Sequence, residues 1–342
     1  MRCLELFAGA GGAALGLERA GFEHAALCEW DADACATLRA AGLGPVVEGD
    51  VRDLDAIESV AGAGRLDLLW SSFPCQPWSK VGGRKGAEDD RNGWPWTVAA
   101  IDRFRPTWFL AENVRGLIQH SEDGHPNPEK CPRCYFENVL LVQLRARFDH
   151  VGWWFLDAAD YGVPQHRRRV IIWAGPAPLR APRPTHGAPG KARQRDMFGP
   201  GVLPWLSMGA ALRVSSCEQV IGGVSGAGNQ YIERPSPTVS TVEGKGSNDN
   251  YRAIGERPKV NKASDALWLA TGRRRLTIEE CATLQAFPSD HPWQGSKSSR
   301  YRQVGNAVPP PLAEVVGRSI AENAHHHGIL GESSRMPMNR AL

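Results

Sequence analysis

The sequence predicts an α/β fold built on a sheet of βαβ units, and two observations carry this prediction. From residue 1 to residue 175, short apolar runs alternate with stretches of helical periodicity, and Gly, Pro and Asn occupy the connections. Charged or reactive residues directly follow several apolar runs, as they do at the carboxyl edge of a parallel sheet. We predict strands at 3–7, 25–29, 46–50, 67–71, 108–112, 153–158 and 170–174, and helices at 13–20, 31–40, 96–104 and 136–148.

The composition is ordinary for a globular protein and excludes several classes. The chain has 342 residues, of which 42% are hydrophobic and 23% charged, and this length favours two domains. Eight cysteines at irregular spacing favour reduced thiols over a disulfide framework. The sequence has neither an apolar run of bilayer length nor a leader-like start, so we expect a cytoplasmic protein without membrane contact. The net charge of +3 does not identify a partner by itself.

The domain prediction follows from a change of composition after residue 175. Residues 176–271 contain Pro-, Gly- and Arg-rich stretches and are too poor in apolar runs to continue the sheet. Helical periodicity returns at 276–287 and at 311–324. We therefore expect one domain from 1–175 and 272–327, a smaller domain of strands and loops at 176–271, and a disordered tail at 328–342.

A cofactor site is predicted at the ends of the first three strands. Gly9, Gly11 and Gly12 form a turn through which a ligand can approach a helix N-terminus, although the spacing is equally compatible with an ordinary strand–helix connection. Glu29 ends the second strand, where an acidic side chain can accept hydrogen bonds from ribose hydroxyls. Trp30 offers a face for adenine, and Asp50 an acceptor for its amino group. The structural alternatives are helix caps for the two acids and core packing for Trp30. No Gly-Lys-Ser/Thr follows the turn, so S-adenosylmethionine fits better than a nucleoside triphosphate.

A nucleophile is predicted in the stretch SSFPCQPWSK (71–80), where prolines on either side present Cys75 at a strand end. A cysteine thiol has a pKa of about 8.5, so Cys75 needs nearby positive charge to react as a thiolate. We expect Arg167 and Arg169 to supply that charge. Glu112 ends the strand TWFLAENV, where partial desolvation favours a proton donor, and Asn113 can hold a loop; a capping pair is the alternative. Together these groups suit attack on C6 of cytosine, with Glu112 at N3 and methylation at C5.

Six motifs in this order resemble the DNA (cytosine-5) methyltransferase family, of bacterial or phage type: FAGAGG, the Glu29-Trp30 pair with Asp50, FPCQPWS, AENV, YGVPQHRRR and YRQVGNAVPPPLA. The resemblance implies a Rossmann-like, S-adenosylmethionine-dependent methyltransferase with a mixed sheet and a smaller, mostly β and loop, target-recognition domain. It implies a catalytic set of Cys75, Gln76, Glu112, Asn113, Arg167 and Arg169. It implies cofactor contacts from Phe7, Ala8, Gly9, Gly11, Gly12, Glu29, Trp30, Asp50, Val51, Pro74, Asn306 and Ala307. The expected DNA contacts are Ser79, Lys80, Arg84, Lys85 and Gln165.

The resemblance also implies a function. We expect methyl transfer to C5 of a flipped-out cytosine in a short, specific sequence of double-stranded DNA, through a covalent adduct between Cys75 and C6. The expected setting is a restriction–modification system, with a restriction endonuclease that acts separately, or an orphan or phage enzyme; a monomer suffices. The first alternative is a tRNA cytosine-5 methyltransferase, whose usual Cys-Phe-Thr triplet is absent, since Cys217 sits in SSCEQV. The second is a non-catalytic DNA-binding relative, which would be free to lose Cys75, Glu112 or Arg169.

The insert HSEDGHPNPEKCPRC (120–134) contains four residues of the types that bind zinc: His120, His125, Cys131 and Cys134. Their spacing is compatible with a zinc site, and Cys-x-x-Cys is its firmer half. Because the chain contains one such pair and the histidines lie in a polar stretch, we expect an unliganded loop and no metal.

Overall fold

The computed structural model of the chain describes residues 1–74, 89–120, 131–188, 201–213, 234–236, 238–239 and 276–326. Within these ranges, a seven-stranded sheet has the strand order β3-β2-β1-β4-β5-β7-β6. The strands are β1 (Arg2–Leu6), β2 (Glu23–Glu29), β3 (Val46–Glu48), β4 (Leu68–Ser71), β5 (Trp108–Val114), β6 (His150–Asp157) and β7 (Arg168–Gly175). Strands β1 to β5 pair in parallel, while β7 runs antiparallel to both β5 and β6.

Helices cover both faces of this sheet. The α-helices of the described residues are α1 (Gly12–Arg19), α2 (Ala32–Ala40), α3 (Leu54–Ala61), α4 (Trp94–Phe104), α5 (Pro132–Tyr135), α6 (Leu141–Arg145), α7 (Met208–Leu212), α8 (Ile278–Leu284), α9 (Lys297–Asn306) and α10 (Pro310–His326). None of the helices in the described part of the chain is both long and apolar enough to cross a lipid bilayer.

Two apolar clusters hold the layers together, one on each face of the sheet. On one face, Phe109 of β5 packs with Trp94 of α4 and Phe136. On the other, Trp108 of β5 packs with residues of α1 and α10. Alternate residues of one strand thus enter different clusters, which explains why the central strands read as continuous apolar runs.

The mixed α/β fold expected from the sequence is confirmed, and all seven predicted strands are present with small shifts at their ends. Helices α3, α7 and α9 were not predicted from the sequence. Helix α3 is capped by Asp53, whose side chain accepts a hydrogen bond from the Ala56 amide, a signal the sequence did carry. The predicted helix at 136–148 begins earlier and contains a π-helical stretch over Phe136–Leu140 between α5 and α6.

The described parts of 176–271 contain short elements only. They include β8 (His186–Gly187), which pairs in parallel with β9 (Leu203–Pro204), and α7. Leu179 packs in the cluster of α1 and α10, while Met208 packs with α8 and α9. Leu179 and Met208 of the predicted recognition domain therefore pack against elements of the predicted sheet-bearing domain, and the domain boundaries remain a prediction.

Candidate active site

The topology brings the candidate residues to one edge of the sheet. Strands β1, β2, β4 and β5 are parallel, so their carboxyl ends lie at the same edge. Because β7 is antiparallel to β5, its first residues lie at that edge too, and Arg169 pairs in register with Val114. The edge is also where ligands bind in open α/β sheets.

Glu29 organises the cofactor side of this edge. Its Oε2 accepts a hydrogen bond from the Gly9 amide at 2.8 Å, and its Oε1 accepts from the amides of Trp30 and Asp31 at 2.9 Å each. Burial raises the pKa of Glu29, and the three amide donors act in the opposite direction. The carboxylate is thus fixed in position by backbone of both the glycine-rich turn and the start of α2.

The residues around Glu29 fit an adenosine-containing cofactor. A carboxylate has about four acceptor positions, so three amide donors leave room for a ribose hydroxyl. The Trp30 side chain is 78% exposed, which corrects the core alternative and leaves its ring face open for stacking. Gly9 has φ of +56°, and a Cβ built on it would meet no atom within 4 Å, so there is open space beside the turn.

Asp50 and Val51 differ from their expected arrangement. Both carboxylate oxygens of Asp50 accept hydrogen bonds from Arg52, and these bonds lower the pKa of Asp50. A contact to an adenine amino group would have to share that carboxylate with Arg52. Val51 is buried in the apolar cluster of α3 and α4, and therefore presents little of its side chain to a ligand.

The carboxyl-terminal segment reaches the glycine-rich turn, as the resemblance implied. A Cβ on Gly12 would collide with the carbonyl oxygen of Val308, so close approach requires glycine. Ala307, adjacent to Val308, is buried, whereas Asn306 is exposed at the end of α9. His291, which the sequence reasoning missed, bonds the carbonyl oxygen of Ala10 through Nε2 at 3.0 Å.

Phe7 and Pro74 meet at a second contact that the sequence reasoning missed. A Cβ on Gly93 would lie 2.7 Å from Phe7 Cζ and 2.8 Å from Pro74 Cδ, so all three residues adjoin. Phe7 has φ of +58°, in the left-handed region that favours glycine. Neighbouring Ala8 is buried, and Gly11 also has positive φ at +87°. The Gly93 position follows from long-range packing rather than from a local motif.

Glu112 and Arg169 form an ion pair at the carboxyl edge. Arg169 Nε lies 2.5 Å from Glu112 Oε1, and both side chains are about nine-tenths buried, at 10% and 11% exposure. Because Arg169 faces Val114 across the β5–β7 pair, Glu112 is its diagonal neighbour on the same face. Arg169 also donates from Nη1 to the carbonyl oxygen of Arg168 at 2.8 Å, which fixes the guanidinium plane.

Asn113 connects β5 to the segment that follows β4. Its Nδ2 donates to the carbonyl oxygen of Phe73 at 3.1 Å, and its side chain is buried. Because Phe73 and Pro74 lead directly into Cys75, this bond holds the start of that segment beside the Glu112 strand. The loop-holding role expected of Asn113 agrees with this contact.

Two residues of the QHRRR stretch take roles different from those expected. Gln165 was expected to contact DNA, but it is fully buried, accepts from the Val239 amide at 2.9 Å and donates to the Leu284 carbonyl at 3.2 Å. Arg167 is buried and donates to the carbonyl oxygens of Val239 at 3.2 Å and Gly305 at 2.9 Å. In this structure both side chains tie the loop before β7 to the carboxyl-terminal helices.

Several predicted residues lie outside the described residues: Cys75, Gln76, Ser79, Lys80, Arg84, Lys85 and His125. Their positions therefore stay predictions. So does the tail at 328–342.

Comparisons with known proteins agree with this geometry. Residues 1–322 match the family model for C-5 cytosine-specific DNA methylase. The chain is 33% identical to the type II methyltransferase M.NgoMIV of Neisseria gonorrhoeae, over 93% of this chain and 96% of that protein. It is 32% identical to M.NaeI of Lentzea aerocolonigenes, over 100% of this chain and 81% of that protein. Among solved structures, a Spodoptera frugiperda DNMT2 mutant covers 94% of this chain and 99% of its own with a TM-score of 0.61, and at 17% identity this likeness concerns the fold.

Proposed function

This chain belongs to the C-5 cytosine-specific DNA methylase family, and on that premise we propose how its residues carry out the reaction. The enzyme is a DNA cytosine-5 methyltransferase that uses S-adenosylmethionine. We propose that it acts on a flipped-out cytosine in a short, specific sequence of double-stranded DNA, through a covalent bond between Cys75 and C6. The observation that carries this proposal is the Glu112–Arg169 pair, which lies at the edge where the segment leading into Cys75 begins.

Glu29 and its neighbours hold the cofactor in this scheme. Glu29 accepts from a ribose hydroxyl with its remaining acceptor position, and Trp30 stacks on the adenine ring. The open space at Gly9 admits the ligand to the backbone of the turn, while Phe7 and Pro74 lie beside it. Bound S-adenosylmethionine supplies the methyl group that C5 of the cytosine takes up.

Cys75 and Glu112 activate the cytosine. The Cys75 thiolate adds to C6, and Glu112 delivers a proton to N3, so that electron density reaches C5. After C5 has taken up the methyl group, a base removes the C5 proton and the thiolate leaves C6. N3 gives its proton back to the Glu112 carboxylate, which restores the aromatic ring and the starting state of Glu112. Arg169 keeps the Glu112 carboxyl oriented throughout, and Asn113 keeps the Phe73 segment next to it.

The target base has to leave the helix for this chemistry. C5 and C6 are inaccessible to a thiol within a stacked duplex, so the cytosine is flipped into the site. We assign recognition of the sequence to residues 176–271, and phosphate or base contacts to Ser79, Lys80, Arg84 and Lys85. Arg167 remains a source of positive charge near the site, although its guanidinium donors are given to backbone carbonyls.

A restriction–modification setting follows from the relatives, which are named type II methyltransferases. In that setting, the enzyme would protect sites that a separately acting endonuclease cleaves. We propose a monomer, because one chain carries every group in the scheme.

The test is transfer of labelled methyl groups from S-adenosylmethionine, with unmethylated genomic DNA and bulk tRNA offered in parallel. We expect label in DNA as 5-methylcytosine at one short sequence, and no label in tRNA. Cys75→Ala should abolish transfer while retaining cofactor binding. Cys281→Ala is the matched control, because it makes the same change at a buried cysteine of α8.

Two outcomes would contradict the proposal. Label confined to tRNA would show that the enzyme methylates tRNA rather than DNA, although the same reaction mechanism could still apply. Normal transfer by Cys75→Ala would exclude Cys75 as the nucleophile, whatever the substrate.

A further inference from the structure

Three side chains of metal-binding type converge where the chain leaves β5 and where α5 begins. One ligand atom each from His120, Cys131 and Cys134 lies within 4.8 Å of the other two. Cys131 Sγ lies 3.6 Å from His120 Nδ1. The described residues contain no other group of three or more His, Cys, Asp or Glu side chains whose ligand atoms lie this close together.

The spacing is close to that of a tetrahedral zinc shell. With Zn–S near 2.3 Å and Zn–N near 2.0–2.1 Å, ligand atoms on a tetrahedron lie about 3.6 Å (S to N) and about 3.8 Å (S to S) apart. The Cys131–His120 distance of 3.6 Å already has that value. All the ligand atoms lie within 4.8 Å of one another, so shifts of about an ångström at most separate them from tetrahedral spacing.

Backbone contacts hold these three residues in place. Cys131 occupies the residue just before α5, and Cys134 lies in that single-turn helix, with Pro132 at its first position. His120 follows the 3-10 turn Arg115–Ile118, which continues directly from β5. The Arg133 amide donates to the Gln119 carbonyl at 3.3 Å, so the backbones on either side of 121–130 are joined.

We propose that His120, Cys131 and Cys134 bind a structural zinc ion. Two thiolates and an imidazole form a ligand set that selects zinc over calcium or magnesium. A fourth donor, from solvent or from the chain, completes the tetrahedron. This proposal departs from the unliganded loop expected from the sequence, because the fold brings His120 to the Cys-x-x-Cys pair.

The ion would fasten α5 to the strand that carries Glu112. Tyr135, next to Cys134, accepts a hydrogen bond at its hydroxyl from Asn92 Nδ2 at 3.0 Å. Asn92 lies just before α4. Through Tyr135, the zinc site would therefore connect the end of β5 with the start of α4. Because the folded chain holds the three ligands together and the unfolded chain does not, binding of the ion also adds to the free energy of unfolding.

The test measures metal in the full-length protein, purified without chelators and without a histidine tag from cells supplied with zinc. We expect one zinc per chain by plasma mass spectrometry. Cys131→Ser with Cys134→Ser should lose it, and Cys281→Ala should retain it. None of these readouts depends on methyl transfer, so the zinc proposal and the proposed function can fail separately.

A second measurement covers the case in which the double variant does not fold. Wild-type protein is stripped with a chelator and titrated with Co²⁺, which should give the intense d–d and thiolate charge-transfer bands of a tetrahedral two-sulfur site. Zinc should displace the cobalt and raise the melting temperature. Zinc-free protein as purified, or cobalt spectra without thiolate bands, would overturn the proposal.

Discussion

Arg169 Nε lies 2.5 Å from Glu112 Oε1, and this ion pair crosses from the antiparallel strand β7 to the last parallel strand β5. The antiparallel direction of β7 is what places the start of that strand at the carboxyl edge. An arginine at its second residue therefore meets a glutamate near the end of β5. The pair is nearly buried, so its geometry is set by the protein rather than by solvent.

Replacing Arg169 with lysine should slow methyl transfer strongly. Lysine keeps the charge, but its single ammonium nitrogen lacks the planar donors that contact the Glu112 carboxyl and the Arg168 carbonyl at once. We expect the rate to fall about 10²-fold, the usual effect of losing one preorganised donor, with S-adenosylmethionine affinity unchanged. Single-turnover transfer and cofactor titration measure the two quantities.

The matched control for that change is Arg168→Lys. The Arg168 side chain is 57% exposed, and it pairs with Asp157 rather than with Glu112. Its rate should stay near that of the wild type. Equal rates for Arg169→Lys and wild type would show that orientation of Glu112 by Arg169 does not matter.

Cofactor affinity should fall with decreasing pH because of Glu29. Burial raises the pKa of Glu29 above its ordinary range, so protonation begins at a higher pH than for an exposed glutamate. Protonation removes the charged acceptor for the ribose hydroxyl, and affinity is therefore lost as pH falls through the raised pKa. In the cofactor-free protein, the same shift means that the ionised side chain costs folding free energy above the ordinary glutamate pKa.

Calorimetric titration of S-adenosylmethionine between pH 5 and pH 8 checks this dependence. Glu29→Gln should bind S-adenosylmethionine about tenfold more weakly at high pH, because one charge-assisted hydrogen bond is lost. Its affinity should lack the fall at low pH, because a glutamine side chain does not titrate. Glu48→Gln changes an exposed carboxyl on the next strand and should follow the wild-type curve. A wild-type curve identical to that of Glu29→Gln would contradict the assignment.

Removing the Gln165 side-chain amide should destabilise the fold. Gln165→Leu leaves the Val239 amide and the Leu284 carbonyl without this partner, and we expect a loss of about 2–3 kcal/mol in unfolding free energy. Gln119→Leu is the same change at an exposed position and should cost about 0.5 kcal/mol or less. Urea denaturation compares them; equal midpoints would mean that the buried bonds contribute nothing.

A methyl group on Gly12 should disturb the contact between α1 and the segment before α10. The added Cβ would meet the Val308 carbonyl oxygen and lie 3.1 Å from the Phe287 ring, so Gly12→Ala should cost about 1–3 kcal/mol. At Gly49, a Cβ meets no atom within 4 Å, which makes Gly49→Ala the control. In thermal unfolding, Gly12→Ala should melt at a lower temperature than Gly49→Ala. Equal melting temperatures would show that the two backbones can separate without a cost in stability.

The sequence was sufficient for the sheet and for the residues at its edge. Alternation of apolar runs and helices predicted the strands, and Glu29 and Glu112 each follow a buried run. Such residues are predictable because the carboxyl ends of parallel strands share one edge. The Arg169 contact needed one more fact, the antiparallel direction of β7.

Roles that depend on distant contacts were not predictable. Gln165 bonds residues 239 and 284, far along the chain, and nothing in QHRRR distinguishes a side chain that faces inward from one that faces DNA. Gly93 and His291 were missed for the same reason, since their neighbours are Phe7 and Ala10. The convergence of His120 with Cys131 and Cys134 likewise depends on the fold that brings residues 120 and 131 together.

The most direct test of the central claim is covalent trapping. A duplex carrying 5-fluorocytosine at the target position is incubated with the enzyme and S-adenosylmethionine, and the products are separated under denaturing conditions. Because fluorine cannot leave C5 as a proton does, the Cys75–C6 bond should persist, giving a stable protein–DNA adduct whose cross-linked peptide contains Cys75. Absence of an adduct from enzyme that methylates ordinary DNA, or an adduct formed equally by Cys75→Ala, would contradict the mechanism.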